Sequence, residues 1–258
     1  MSDETPPKND AEHTHQEAKK QTYSQAGVNI AAGQEAATLM VEAVRSTYGP
    51  EVITGIGAFG GLFDISHLKT MDHPILVSST DGVGTKTKVA ERMGRWETIG
   101  QDLVNHCIND ILVQGATPLF FLDYVASSRL EPQQIASVVT GVATACRAAS
   151  CALLGGETAE MPGVYEDGAV DLAGTIVGVV EKQRVIDGSR IKAGDILLNL
   201  PSTGLHTNGY SLARRVLASF DWETPQEALG ESVGDALLAI HRSYLPLVQR
   251  WWQADVDI

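Results

Sequence analysis

The residues best placed for chemistry lie where apolar runs end in glycine-rich loops. In SSTDGVGTK (78–86) a strand-like run enters Asp81, and Gly82, Gly84, Thr85 and Lys86 follow at once. Glycine has no Cβ to keep a ligand away from the backbone. Successive N–H groups in such a loop form a nest for an anion, and Lys86 adds a mobile positive charge. Asp81 suits Mg2+, a hard cation that takes carboxylate oxygen and bridges substrate phosphates. The competing reading is an ordinary turn with a capping aspartate. A P-loop is excluded, because a threonine separates Gly84 from Lys86 and Gly-Lys-Ser/Thr occurs nowhere in the chain.

Three more loops join this set. GIGAFGG (55–61) matches G-x-G-x-x-G over Gly55, Gly57 and Gly60, with Gly61 next and Asp81 lying 21 residues beyond Gly60. A dinucleotide-binding turn needs a full strand before it and a helix behind it. Here only Val52 to Thr54 precedes and no clean helical period follows, which counts against a dinucleotide site and favours a mobile flap over phosphates, with a plain flexible loop as the next reading. GGETAEMPG (155–163) places Glu157 and Glu160 three apart after another strand. Glu157 reads either as a ligand or substrate-orienting carboxylate, or as part of a short helix capped by Thr158. PSTGLHTNG (201–209) gathers Ser202, Thr203, His206, Thr207 and Asn208 where a helix opens. Helix N-termini favour anions, and His206 there could act as a general acid or base, or as a donor to an oxyanion. His13, His15, His67, His73 and His241 have no such company.

Hydrophobic periodicity supplies the elements that must hold these loops. Ile30, Ala37, Met40, Val41, Val44 and Tyr48 predict a helix from about Asn29, stopped by Gly49-Pro50. A helix over 98–114 turns Ile99, Leu103, Val104, Cys107, Ile108, Ile111 and Leu112 to one side. Asp102, His106 and Asp110 lie four apart on its polar stripe. A solvated face accounts for Asp102 and His106, whereas Asp110 interrupts the most apolar part of the helix and calls for a partner such as a cation. Strands are expected over 74–80, 119–126, 151–154, 170–181 and 195–200, and helices over 132–149, 210–219 and 233–252. That mixture gives an α+β or α/β enzyme layout. Residues 1–22 read as a flexible polar tail. The turn-rich DGSRIKAG (187–194) separates 23–186 from 187–258.

Composition removes other classes. A net charge of −13 opposes a nucleic-acid partner, whose binding surface would be basic. No apolar stretch reaches 18 residues, so no membrane span is expected, and the polar first 20 residues do not read as a signal peptide. Three cysteines without CxxC spacing read as buried reduced thiols of a cytoplasmic protein.

Six blocks then occur in order: FGGLFD, VSSTDGVGTK, NDILVQGATPLFFLDY, LLGGETAEMPG, VGVVEKQRVIDGS and STGLHTNGYSL. From about Tyr23 to Leu212 the chain resembles the phosphoribosylformylglycinamidine cyclo-ligases, also called aminoimidazole ribonucleotide synthetases. The resemblance implies an ATP-dependent ring closure of formylglycinamidine ribonucleotide in purine biosynthesis. The γ-phosphate activates the amide oxygen, a nitrogen attacks that carbon, and aminoimidazole ribonucleotide, ADP and phosphate result. It implies Mg2+ and ATP on Asp81 and Asp110, Lys86 as a phosphate contact, and Gly55, Gly57, Gly60 and Gly61 in a mobile nucleotide-covering loop. Gly82, Gly84, Thr85 and Asn208 would complete the nucleotide contacts. His206, Asp110 and Glu157 would act on the reacting substrate. The implied fold is α+β: an N-terminal domain whose strands pair across a homodimer, and a C-terminal α/β domain of which 187–258 is expected to be a part. Two alternatives stand beside this: a non-catalytic nucleotide-binding fragment, and a related ATP-dependent synthetase or kinase with another acceptor. The selenophosphate synthetases among those relatives want a reactive Cys near the glycine-rich start, and residues 1–60 contain none.

Overall fold

A four-stranded sheet positions the loops, in a computed structural model that describes residues 28–254 and 256. The tail expected over 1–22 lies outside the described residues. The strands are β3 (Pro74–Gly82), β4 (Thr117–Ser127), β5 (Ala152–Glu160) and β6 (Val170–Glu181), in the order β3-β6-β4-β5. β6 runs antiparallel to both of its neighbours, and β4–β5 is the one parallel pair. A parallel step needs a crossover, and α4 (Pro132–Ala148) provides it, with Pro132 in its first turn as expected. β6 is rich in β-branched residues, as suits a strand with a neighbour on each side.

α3 (Glu97–Leu112) and α4 cover one face of the sheet, and α1 (Ile30–Arg45) packs on α4 from outside. Leu103, Ile108, Phe121, Val138, Val142 and Ile176 make the core between them, all fully buried. The two helices cross in backbone contact. A Cβ on Gly100 would stand 2.0 Å from the Val138 carbonyl oxygen, and one on Gly141 would stand 2.3 Å from that of Glu97. Only glycine allows that approach. The opposite face of the sheet is partly bare: Leu76 is 63% exposed and Leu122 37%, each next in sequence to a residue packed into the core.

The observed elements follow the expected ones closely up to Glu181 and depart from them at four places. First, GGETAE is not a loop or a helix start; it continues β5, because its backbone pairs with Leu122 to Ser127 of β4. Second, Gly55 to Gly61 caps a hairpin of β1 (Val52–Thr54) and β2 (Leu62–Phe63) instead of joining a strand to a helix. Third, 195–200 is not a strand. Ile196, Leu197 and Leu198 are 85, 96 and 69% exposed, and no strand pairs with them among the described residues. An apolar run without a pairing partner leaves its backbone to water. Fourth, the expected helix over 233–252 splits into α6 (Val233–Leu238) and α7 (Leu245–Gln253). Ala239 leaves the helical region at ψ 130°, and Pro246 starts the second helix.

α2 (Thr87–Met93) follows the β3 loop and packs against α6, while α5 (Tyr210–Val216) lies beside the same loop. β7 (Pro225–Gln226) and β8 (Glu231–Ser232) form a small hairpin between α5 and α6. Cys107, Cys146 and Cys151 are buried and unbonded, and burial pushes the Cys107 thiol up to about 12. Among the described residues no helix is long and apolar enough to cross a membrane.

Candidate active site

Asp81, near the end of β3, meets α3 across the edge of the core. Side chains alternate along a strand, so Ser79 and Asp81 share one side of β3. Helical spacing places His106 and Asp110 one turn apart on the face of α3 opposite them. His106 Nε2 lies 2.9 Å from Asp81 Oδ2 and 3.8 Å from Asp110 Oδ1, and Ser79 Oγ donates to Asp110 Oδ2 at 2.8 Å. The other ring nitrogen of His106 bonds Thr207 Oγ1 at 2.5 Å. The 201–209 loop is thereby tied to the acidic pair, and Asp81 and Asp110 stand together around His106, two residues that the resemblance places in one site. His106 was missed as a member, although its spacing of four from Asp110 is plain in the sequence.

Two more imidazoles close the cleft. His206 stacks on His241 with ring centroids 4.1 Å apart, and His241 lies 5.2 Å from His106. Sequence patterning gave no reason to single out His241; it sits in the break between α6 and α7, which only the folded chain reveals. Asn109 Nδ2 meets His241 Nε2 at 3.0 Å and also donates to the Arg242 carbonyl at 2.8 Å. The Thr203 N–H donates to His206 Nε2 at 3.3 Å. Burial, and then the nearby Lys86 charge, lower the pKa of His206, so the ring is neutral at pH 7 with Nε2 as an acceptor. His106, Asn109, His206 and His241 border a cleft of about 660 Å³ that also includes Asp110, Asn208 and Tyr244.

Burial, and then the neighbouring His206 and His106, bring His241 down to about 3. Below pH 6.5 the unfolded chain therefore binds a proton at this residue that the native chain does not. Stability is expected to fall as pH drops from about 6.5 toward 3, and His241→Gln should flatten that slope. Urea midpoints measured across this range check it; equal slopes in both proteins would refute it.

Lys86 is not the mobile cation its loop suggested. It is wholly buried, and its ammonium is shared among Asp102 Oδ2 at 2.7 Å and the carbonyls of Ala239 at 2.8 Å and His206 at 3.2 Å. An ammonium has three protons to donate, so none is left for a phosphate. Asp102, expected on a solvated stripe, is equally buried, and its Oδ1 accepts the His241 N–H at 2.7 Å. Both corrections have one cause: the 239–241 segment covers this part of α3 and excludes water. Gly82, Gly84 and Thr85 line the surface beside α5, where Thr85 Oγ1 meets Ser211 Oγ at 3.0 Å.

The remaining expected site residues lie elsewhere in the chain. Glu157 stands on β5, opposite Tyr124, with β6 and β4 between it and β3. At about 4.8 Å per strand that is roughly 14 Å from the Asp81 level. The Gly55–Gly61 hairpin is on the same far edge, where a Cβ on Gly61 would stand 2.4 Å from Leu154 Cγ. Within one chain, neither reaches the cleft.

The matching family model, described as AIR synthase related protein, N-terminal domain, covers residues 64–180, from just after β2 to near the end of β6. A phosphoribosylformylglycinamidine cyclo-ligase of Desulfitobacterium hafniense is 54% identical over 232 residues, spanning 88% of this chain and 68% of that protein. The chain belongs to the phosphoribosylformylglycinamidine cyclo-ligase family. These are ring-forming ligases of purine biosynthesis. A second cyclo-ligase, from Picosynechococcus, is 46% identical over 92% of this chain and 70% of its own length. The chain thus spans about two thirds of these cyclo-ligases. Solved structures share the fold. A thiamine-monophosphate kinase from Stenotrophomonas maltophilia has a TM-score of 0.59 at 20% identity, over 82% of this chain and 64% of the kinase. A hydrogenase maturation protein of E. coli has a TM-score of 0.53 at 20% identity, over 85% and 60% respectively. The donor set at Asp81 and Asp110 fits a divalent cation: together with His106 it brings three ligand atoms within 4.8 Å of one another.

Proposed function

We propose that this cleft binds Mg2+–ATP on Asp81 and Asp110 and closes the imidazole ring of formylglycinamidine ribonucleotide. One observation carries the reading: in this cyclo-ligase family chain Asp110 and His206, from separate sequence blocks, line one cleft, and Asp81 from a third block meets it through His106, 2.9 Å from the Asp81 carboxylate. Magnesium, when bound, neutralises charge growing on the transferred phosphoryl group. The two carboxylates hold it, while the N–H groups of Gly84 and Thr85 offer donors along the nucleotide. His206, neutral and stacked, takes or gives a proton at the reacting amide, and Asn208 orients it.

Gly55–Gly61 and Glu157 join the site from a second copy of the chain. The bare sheet face supports such a homodimer, since Leu76 and Leu122 would gain burial by pairing. Leu76→Glu is expected to convert a dimer to monomers in sedimentation velocity; a wild-type monomer would remove the proposal. Residues 23–186 would form the nucleotide-binding and dimerising domain and 187–258 part of the second, in a cytoplasmic enzyme.

ADP release with formylglycinamidine ribonucleotide, compared with ATP alone, tests the reading. His206→Ala is expected to lower kcat by about 100-fold, the scale of one general acid–base group, while ATP affinity stays within twofold. An unchanged kcat would take His206 out of the chemistry. ATP binding without turnover would favour the non-catalytic nucleotide-binding fragment.

A further inference from the structure

We propose that the end of the cleft formed by Arg242 and Tyr244 seats the 5′-phosphate of the ribonucleotide substrate. The inference rests on the proposed ring closure of formylglycinamidine ribonucleotide and says which way round that ligand lies.

The cleft has two unlike ends. Its rings follow one another as His106, His241, His206 and Tyr244, with centroid steps of 5.2, 4.1 and 6.2 Å. Asp81 and Asp110 stand at the His106 end. At the Tyr244 end the Pro201 carbonyl accepts from the Tyr244 hydroxyl at 3.3 Å and from Arg242 Nη1 at 2.9 Å, which gathers phenol and guanidinium at one point. Asn109 fixes the backbone that carries them: its Nδ2 donates to the Arg242 carbonyl at 2.8 Å and its Oδ1 accepts the Tyr244 N–H at 3.0 Å.

A phosphate monoester is close to doubly charged at pH 7. The acidic end repels it, and the metal there serves the triphosphate. After burial, the lysine and arginine charges that hold His206 neutral are those of Lys86 and Arg242. Lys86 has spent its three protons inside the protein. Arg242 is exposed and carries five N–H donors, and among the described residues its guanidinium meets Pro201 alone. Such a fork grips phosphate oxygens through two parallel hydrogen bonds. With the phosphate there and the triphosphate at Asp81 and Asp110, the reacting amide falls between them, against His206. A cleft of about 660 Å³ is of the size that holds one such ligand.

The test uses the full chain and two ligands, formylglycinamidine ribonucleotide and its nucleoside, which lacks only the phosphate. In calorimetric titration the wild type is expected to bind the ribonucleotide at least about 10-fold more tightly. Arg242→Met should weaken ribonucleotide binding by about 10–100-fold, the scale of lost charge-assisted hydrogen bonds, and leave the nucleoside and Mg2+–ATP within about twofold. Arg242→Lys, which keeps the charge without the fork, should fall between. In turnover the loss should appear in KM and not in kcat. Equal wild-type affinity for the two ligands, an equal loss for both in Arg242→Met, or no loss would overturn the proposal. Phosphate-independent binding alongside ADP release sinks this inference and spares the ring-closure reading. Phosphate-dependent binding that needs Arg242, without ADP release, does the reverse.

Discussion

Asp81→Asn and Asp110→Asn are each expected to weaken Mg2+–ATP binding by about 100-fold or more, since loss of even an outlying partner of a metal ligand costs 10–100-fold. The fold should be indifferent to either change. Asp81 is half exposed and Asp110 one-third exposed, and removing one of two close carboxylates relieves repulsion instead of stranding a charge. Calorimetric titration with Mg2+–ATP, beside a thermal melt, reads both quantities. Wild-type affinity in both variants would end the assignment of this pair to the metal nucleotide.

Lys86→Met should act on stability. The Lys86–Asp102 pair is completely buried, and its members also hold the carbonyls of Ala239 and His206 and the N–H of His241. Deleting one partner of such a pair costs about 3–5 kcal/mol, because the other charge stays buried and uncompensated. Burial already raises Asp102 to about 6 against the pull of Lys86. Without the lysine its native form prefers the proton still more, so the deficit should be larger at pH 8 than at pH 5. Urea unfolding of Lys86→Met and of Lys86→Met/Asp102→Leu separates the effects: the double variant should regain most of the loss. A single variant of wild-type stability but weak ATP binding would restore Lys86 to the phosphate.

Local signals reached far into this chain. β3, β4, β6, α1, α3 and α4 lie in the stretch where apolar period, glycine and proline agree, whereas nothing in that pattern predicts α2. That Asp81 and Asp110 share a centre is implied by the resemblance, and alternation on β3 with a turn of α3 explains how they meet. The failures belong to long-range packing. Lys86 and Asp102 look solvated until the segment from Ala239 to His241, more than 130 residues away, lies over them. His241 is anonymous in sequence because its neighbours come from α3 and the 201–209 loop. GGETAE resembles a loop by composition, yet the parallel partner β4 draws it into the sheet. The 195–200 run has the composition of a strand, but pairing depends on a neighbour that composition does not reveal.

The glycine crossing of α3 and α4 bears on how the cleft can work. With backbones in contact at Gly100 and Gly141, α3 has no room to slide or rotate, so His106 and Asp110 are mounted on an anvil. Any breathing of the pocket must come from the opposite wall, the irregular 201–209 and 239–244 stretches. The ordering entropy of ligand capture then falls on those two loops, and rigidifying substitutions there should speed productive encounter more than any change on the helix.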